Sequence, residues 1–183
     1  MLVTMKEILD EANEGNYAIP APNVFYELET RAVIELAEEL NSPLILDVFP
    51  TFSRFLIELA REAKIPVAIN LDHGRTYEDI IKTIRKGVTS VMVDRSMLPF
   101  EQNVAEVQEI VKIAHAAGIS VEAELGHVGN GSEYDNEESL QLTNPSEARR
   151  YVELTDVDAL AVAIGTAHGK YNGVPKIHFD LLE

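Results

Sequence analysis

Two adjacent residues, Asp72 and His73, close an apolar run that begins at Pro66: "PVAINLDHG". A carboxylate beside an imidazole can move protons or hold a divalent cation. The next apolar run, Val91-Met92-Val93, also ends in an acid, Asp94. Farther on, Glu122 and Glu124 alternate with Val121, Ala123 and Leu125, and the run Ala159–Gly165 leads into Thr166 and His168. On a strand, residues two apart point the same way, so Glu122 and Glu124 share a face. Unpaired buried acids are costly and call for solvent, cations or a metal. Acids and imidazoles that meet at one place are suited to a divalent metal.

The elements that must position these groups follow from hydrophobic spacing. Six apolar runs read as strands buried on both faces: Tyr17–Val24, Pro43–Phe49, Pro66–Asp72, Ser90–Asp94, Ser120–Leu125 and Ala159–Gly165. Helical spacing lies around and between them, as in Leu2, Met5, Leu9 and Ala12, in Val33, Leu36, Ala37 and Leu40, and in Val104, Val107, Val111 and Ala114. Thr76 with Asp79, and Asn144-Pro145 followed by Glu147, read as helix starts, and Gly87 and Gly118 as residues just past helix ends. Alternating strands and helices predict a parallel α/β sheet. A doubly wound sheet would string the polar strand ends along a line. A (β/α)8 barrel brings them to one rim, where barrel enzymes keep their chemistry. No glycine-rich nucleotide motif follows the first strand. The predicted fold is a TIM-type barrel with about six βα units, and residues 1–183 read as a single, partial barrel domain.

Composition narrows the partners. The chain has 183 residues, 46% hydrophobic and 25% charged, with no cysteine and a net charge of −16 from 31 acids against 15 Lys and Arg. That charge repels nucleic acid. No apolar run approaches the roughly 20 residues of a membrane span, so no membrane is expected. Disulfides and thiolate metal sites are excluded, and a cytoplasmic location is expected.

The motifs "AIPAPNV", "NLDHG", "GVTSVMVDRSMLPFEQNV", "AHAAGISVEAELG" and "VDALAVAIGTAHGKYNGVPKIHFDLLE" resemble the class II, zinc-dependent fructose-bisphosphate and tagatose-bisphosphate aldolases, in order and over nearly the whole chain. The resemblance implies reversible aldol cleavage of a ketose 1,6-bisphosphate to dihydroxyacetone phosphate and glyceraldehyde 3-phosphate. It implies Asp72 as the acid/base on the C4 hydroxyl and His73 and His168 as two of three zinc-binding histidines. Asp94 and Glu124 match the acids of a second cation position, and Gly169 a glycine near a substrate phosphate. Asn23, at the end of the first predicted strand, is the other expected substrate contact. Zinc suits the reaction because a Lewis acid stabilises the enediolate of the cleaved ketose. A lysine Schiff base is the alternative chemistry. Lys170, the lysine beside a strand-end motif, is a poor candidate for it. His115, His127 and His178 are not counted among the ligands.

Departures from the family pattern are equally specific. Phe49 stands where the family has a substrate-contacting serine, and the helix after that strand is short. "GNGSEYDNEE" replaces a flexible "GGxED" loop, with Glu133 as the acid that fits its catalytic position. No third zinc histidine in an HGGSG-like motif follows "KIHFDLLE". The chain is therefore expected to be a fragment, or to be completed from elsewhere, and a homo-oligomer is expected because six barrel strands leave open edges. Three readings remain: a zinc aldolase recorded in part, a catalytically inactive relative acting as an interaction or regulatory subunit, and a metal-dependent barrel enzyme of another reaction.

Overall fold

The computed structural model describes residues 1–133 and 141–182. Five parallel strands form one sheet in sequential order: β1 (Leu44–Val48), β2 (Val67–Gly74), β3 (Ser90–Val93), β4 (Ser120–Leu125) and β5 (Ala159–Val162). Among the described residues six α-helices accompany them: α1 (Met5–Gly15), α2 (Glu27–Glu39), α3 (Phe55–Glu62), α4 (Tyr77–Lys86), α5 (Phe100–Ala116) and α6 (Pro145–Thr155). The sheet curls as a partial (β/α)8 barrel, as the alternation predicts. No helix among the described residues is long and apolar enough to cross a membrane.

The main difference from the sequence reading is the first predicted strand. Residues 17–24 form no strand in the sheet; they touch it through one parallel bridge, Asn23 with Asp47. The segment nonetheless lies along the β1 edge. Ile45 N–H donates to the Pro20 carbonyl, Asp47 N–H to the Pro22 carbonyl, and Val24 N–H to the Asp47 carbonyl. Pro20 and Pro22 have no N–H to return, so the ladder cannot complete itself. The segment still delivers Asn23 to the same end of the sheet as Asp72.

Helix signals in the sequence correspond to real caps. The Thr76 hydroxyl accepts from Asp79 N–H to start α4, and Gly87 ends it at φ 103°. The Asn144 side chain accepts from Ser146 N–H at the start of α6, with Pro145 in the first turn. Helix α3 spans 8 residues, short as expected.

Alternation along the strands divides the side chains between two environments. Leu44, Leu46 and Val48 of β1, Val67, Ile69 and Leu71 of β2, and Val91 and Val93 of β3 pack in the main core with the helices. The other face of the sheet lines the barrel interior in layers. At its lower end Ile45 and Ala68 pack against Met5 and Ile8, so α1 covers the bottom. Above them come Asp47, Asn70, Met92 and Glu122, and above those Asp72, Asp94 and Glu124. The interior therefore becomes polar toward the C-terminal ends of the strands.

Candidate active site at the strand ends

The register of β2 against β3 explains how Asp72 and His73 serve one site. Leu71 pairs with Val91 but Gly74 pairs with Val93, so three steps on β2 match two on β3. This is a β-bulge, which bends a strand and redirects a side chain. His73 sits at its centre in the left-handed region, at φ 47°, a conformation uncommon for a residue other than glycine. Plain alternation would send consecutive side chains to opposite faces. The bulge brings them together, with His73 Nε2 3.8 Å from Asp72 Oδ1. Gly74 is required on steric grounds. A Cβ there would lie 2.6 Å from the Met92 carbonyl oxygen and 2.7 Å from Ile80 Cγ1.

His73, Asp94 and Glu124 bring potential ligand atoms within 4.8 Å of one another. His73 Nδ1 lies 2.9 Å from Asp94 Oδ2 and 3.8 Å from Glu124 Oε2. The bond to Asp94 holds the His73 imidazolium above its ordinary pKa, despite burial, and Asp72, Asp94 and Glu124 add to the rise. Burial pushes the Asp94 carboxyl up, but hydrogen bonds from His73 and from the Ser96 hydroxyl and N–H overcome it, leaving Asp94 well below the usual carboxylate range. Glu124 is 1% exposed. Its Oε1 accepts from Val128 N–H at 2.8 Å, and its own carbonyl accepts from Asn103 Nδ2 at 3.1 Å. Asn103 in turn accepts from the buried Tyr151 hydroxyl at 2.6 Å. Helices α5 and α6 thus fix the backbone at Glu124.

His168 reaches the same end from the loop after β5. Its ring centre is 5.2 Å from that of His73, edge to face. Its backbone is tied to the β4 loop: His168 N–H donates to the Gly129 carbonyl at 2.9 Å and Gly131 N–H to the His168 carbonyl at 2.8 Å. Gly169 follows at φ 73°, with open space where a Cβ would be, so its backbone conformation is what favours glycine. Asn23 Nδ2 donates to Asp72 Oδ2 at 2.8 Å. Phe49 stacks on Phe25 with ring centres 5.3 Å apart, placing aromatic surface where the resemblance implies a serine. Lys170 is exposed. Nothing is described for the Glu133 side chain or for residues 134–140, so half of the predicted flexible loop lies outside the described residues.

Several residues important to this end of the sheet carried no local signal in the sequence. Arg95 is 9% exposed. Its Nη1 donates to the carbonyls of Gly74, Arg75 and Asp94, at 3.1, 3.0 and 2.8 Å, and its Nε pairs with Glu106 at 2.6 Å. It ties the ends of β2 and β3 together. Ser96 donates to Asp94 through both its hydroxyl and its N–H, and its Oγ lies 2.8 Å from His127 Nδ1. One layer down, Asn70 Nδ2 donates to Asp47 Oδ1 and Glu122 Oε2, each at 3.0 Å. Burial pushes the Asp47 carboxyl up to about 7, with repulsion from Asp72 adding to it and the Asn70 bond opposing it. Burial and the charge of Asp47 push Glu122 up to about 7 as well. An interior lined with these acids favours cations at the rim. His115, not counted among the ligands, lies near the end of α5, 2.9 Å from Asp158 Oδ2 and away from this site.

Imidazole nitrogen and carboxylate oxygen converge at the open end of the parallel sheet in a set that could hold a divalent metal, with the Asp72 carboxylate beside it. The architecture is that of a partial (β/α)8 barrel with a candidate metal site at the C-terminal ends of its strands. The model for class II fructose-bisphosphate aldolases matches residues 3–183, and the chain belongs to that family. It is 46% identical to a fructose-bisphosphate aldolase of Thermus caldophilus over 98% of its own length and 62% of that protein. The chain therefore spans less than two thirds of that relative. The YdjI aldolase of Escherichia coli K12 superposes with a TM-score of 0.87 at 34% identity, over 100% of this chain and 67% of the other. A putative fructose-1,6-biphosphate aldolase of Coccidioides immitis gives a TM-score of 0.82 at 29% identity, over 97% and 67%.

Proposed function

We propose that this chain carries the acid/base and metal ligands of a zinc-dependent class II aldolase, which reversibly cleaves a ketose 1,6-bisphosphate to dihydroxyacetone phosphate and glyceraldehyde 3-phosphate. The observation that carries the reading is the bulge that sets Asp72 beside His73, within reach of Asp94, Glu124 and His168. His73 and His168 would hold the zinc. The donor set fits: with His73 Nδ1 bonded to Asp94 at 2.9 Å, its Nε2 remains on the side of Asp72 and is suited to ligation. Bound zinc would supply Lewis-acid polarisation of the ketone. Asp72 would take the proton from the C4 hydroxyl during cleavage and return it during condensation, with Asn23 fixing the carboxylate. Asn23 and Gly169 would stand on the substrate side, Gly169 offering backbone to a phosphate. Asp94 and Glu124 would attract a second cation. Two imidazoles are fewer than the three protein ligands usual for catalytic zinc, so zinc on this chain alone would be held weakly or completed by water or a carboxylate.

The test is cleavage of fructose and tagatose 1,6-bisphosphate, followed by release of triose phosphate, together with zinc content before and after chelation. The expected result is zinc-dependent cleavage abolished by chelator, with no covalent adduct trapped by borohydride. Borohydride inactivation through Lys170 or another lysine would overturn the zinc mechanism.

A further inference from the structure

We infer that Ser96 and His127 are positioning residues that act through Asp94 to set the tautomer of His73. This deepens the aldolase reading and gives Asp94 a different task from cation binding: holding the imidazole that does the binding.

The argument is a count of hydrogen-bonding positions. Asp94 Oδ2 faces His73 Nδ1 at 2.9 Å. Asp94 Oδ1 receives both the Ser96 hydroxyl at 2.7 Å and the Ser96 N–H at 3.1 Å. Each oxygen of Asp94 therefore has a protein partner. A hydroxyl has one hydrogen, so Ser96 Oγ, having donated to Asp94, can only accept from His127 Nδ1 at 2.8 Å. His127 must then carry its proton on Nδ1. The direction of donation runs from His127 to Ser96 to Asp94. At the far side, a carboxylate accepts only, so His73 must present Nδ1–H to Asp94, and Nε2 keeps its lone pair when the ring is neutral. Nε2 is the nitrogen on the side of Asp72, 3.8 Å from Asp72 Oδ1.

The relay is anchored at both ends. His127 Nδ1 is also 3.6 Å from Glu124 Oε1, and the next residue, Val128, donates its N–H to that same oxygen at 2.8 Å. Asp94 is 9% exposed, so water competes little for its oxygens. Without the Ser96 hydroxyl, Asp94 Oδ1 keeps only one backbone donor and the carboxylate can turn away from His73. Orienting partners of this kind are typically worth 10- to 100-fold in metal affinity.

The experiment reads the His73 tautomer directly, from imidazole 15N shifts of the apo chain at a pH where the ring is neutral. The unaltered chain should show a single Nδ1–H tautomer. Ser96→Ala and His127→Phe should each give a mixture with Nε2–H and weaken zinc binding about 10-fold or more. Ser96→Thr, which keeps the hydroxyl, and His127→Asn, which puts an amide N–H near the place of Nδ1, should restore the single tautomer. If Ser96→Ala does not fold, the His127 pair decides alone. A single Nδ1–H tautomer retained in His127→Phe would overturn the relay. The readout does not use activity. Correct tautomers together with borohydride inactivation through a lysine would sink the zinc-aldolase reading and leave the relay standing.

Discussion

Replacing Asp47 with Asn should make the protein less sensitive to rising pH and more stable than the unaltered chain in mild alkali. Asp47 and Glu122 are half-buried in the barrel interior and share one amide, Asn70, with no ion pair to either among the described residues. The Asp47 pKa is pushed from its ordinary 3.8 to about 7. Between those values the folded chain keeps a proton that the unfolded chain has lost. Stability therefore falls as pH rises through this window, and the penalty is complete above about 7. At about 1.4 kcal/mol per pH unit, the gap amounts to on the order of 4 kcal/mol for Asp47 alone. Glu122 also lies near 7, partly because of Asp47, so the variant should lower the Glu122 pKa as well. Asn at position 47 retains an oxygen for the Asn70 N–H, so packing and hydrogen bonding change little. Urea unfolding followed by circular dichroism, in chelator and between about pH 3.5 and 8.5, gives the two stability curves. They should converge at the acid end and separate by several kcal/mol at the alkaline end, with the variant above. Parallel curves would refute the assignment of a raised carboxyl at position 47.

Gly74→Ala should lose roughly 1–3 kcal/mol in the same unfolding assay, because its Cβ meets the Met92 carbonyl oxygen at 2.6 Å and backbone cannot easily give way. Arg95→Met should cost about 2–4 kcal/mol by stripping the carbonyls of Gly74 and Asp94 of a buried charged donor; a loss under 0.5 kcal/mol would show that water replaces it. In the complete enzyme, Asp72→Ala should keep zinc and lose roughly 10²–10⁴ in rate, whereas His73→Ala or His168→Ala should lose the metal too, as metal analysis after dialysis would show. The outer edge of β5 has no strand partner among the described residues, so light scattering should give a dimer or larger species; a well-behaved monomer would count against a homo-oligomer.

The sequence by itself determined the α/β alternation, the positions of the helix caps and the set of polar strand ends. These depend on local spacing and on side chains acting on their own backbone, as at Thr76, Gly87 and Asn144. Family motifs around Asp72-His73 and His168 were likewise readable, because they are contiguous. Other features were decided only when strands met. The bulge at Asp72–His73 is a mismatch of register between β2 and β3, which no property of β2 alone sets. The run at 17–24 looked like a strand because it is apolar, yet Pro20 and Pro22 deny it the return hydrogen bonds of a ladder and leave one bridge. Asp47, Asn70 and Glu122 are separated by 23 and 52 residues, and their shared hydrogen bonds follow from inward positions on three strands. Ser96 and His127 lie 31 residues apart, and a serine and a loop histidine are ordinary surface residues until the end of β3 and the loop after β4 bring them to Asp94. Residue type and period fix what each segment can do; which groups share a proton or a charge depends on long-range register and on how little water reaches them.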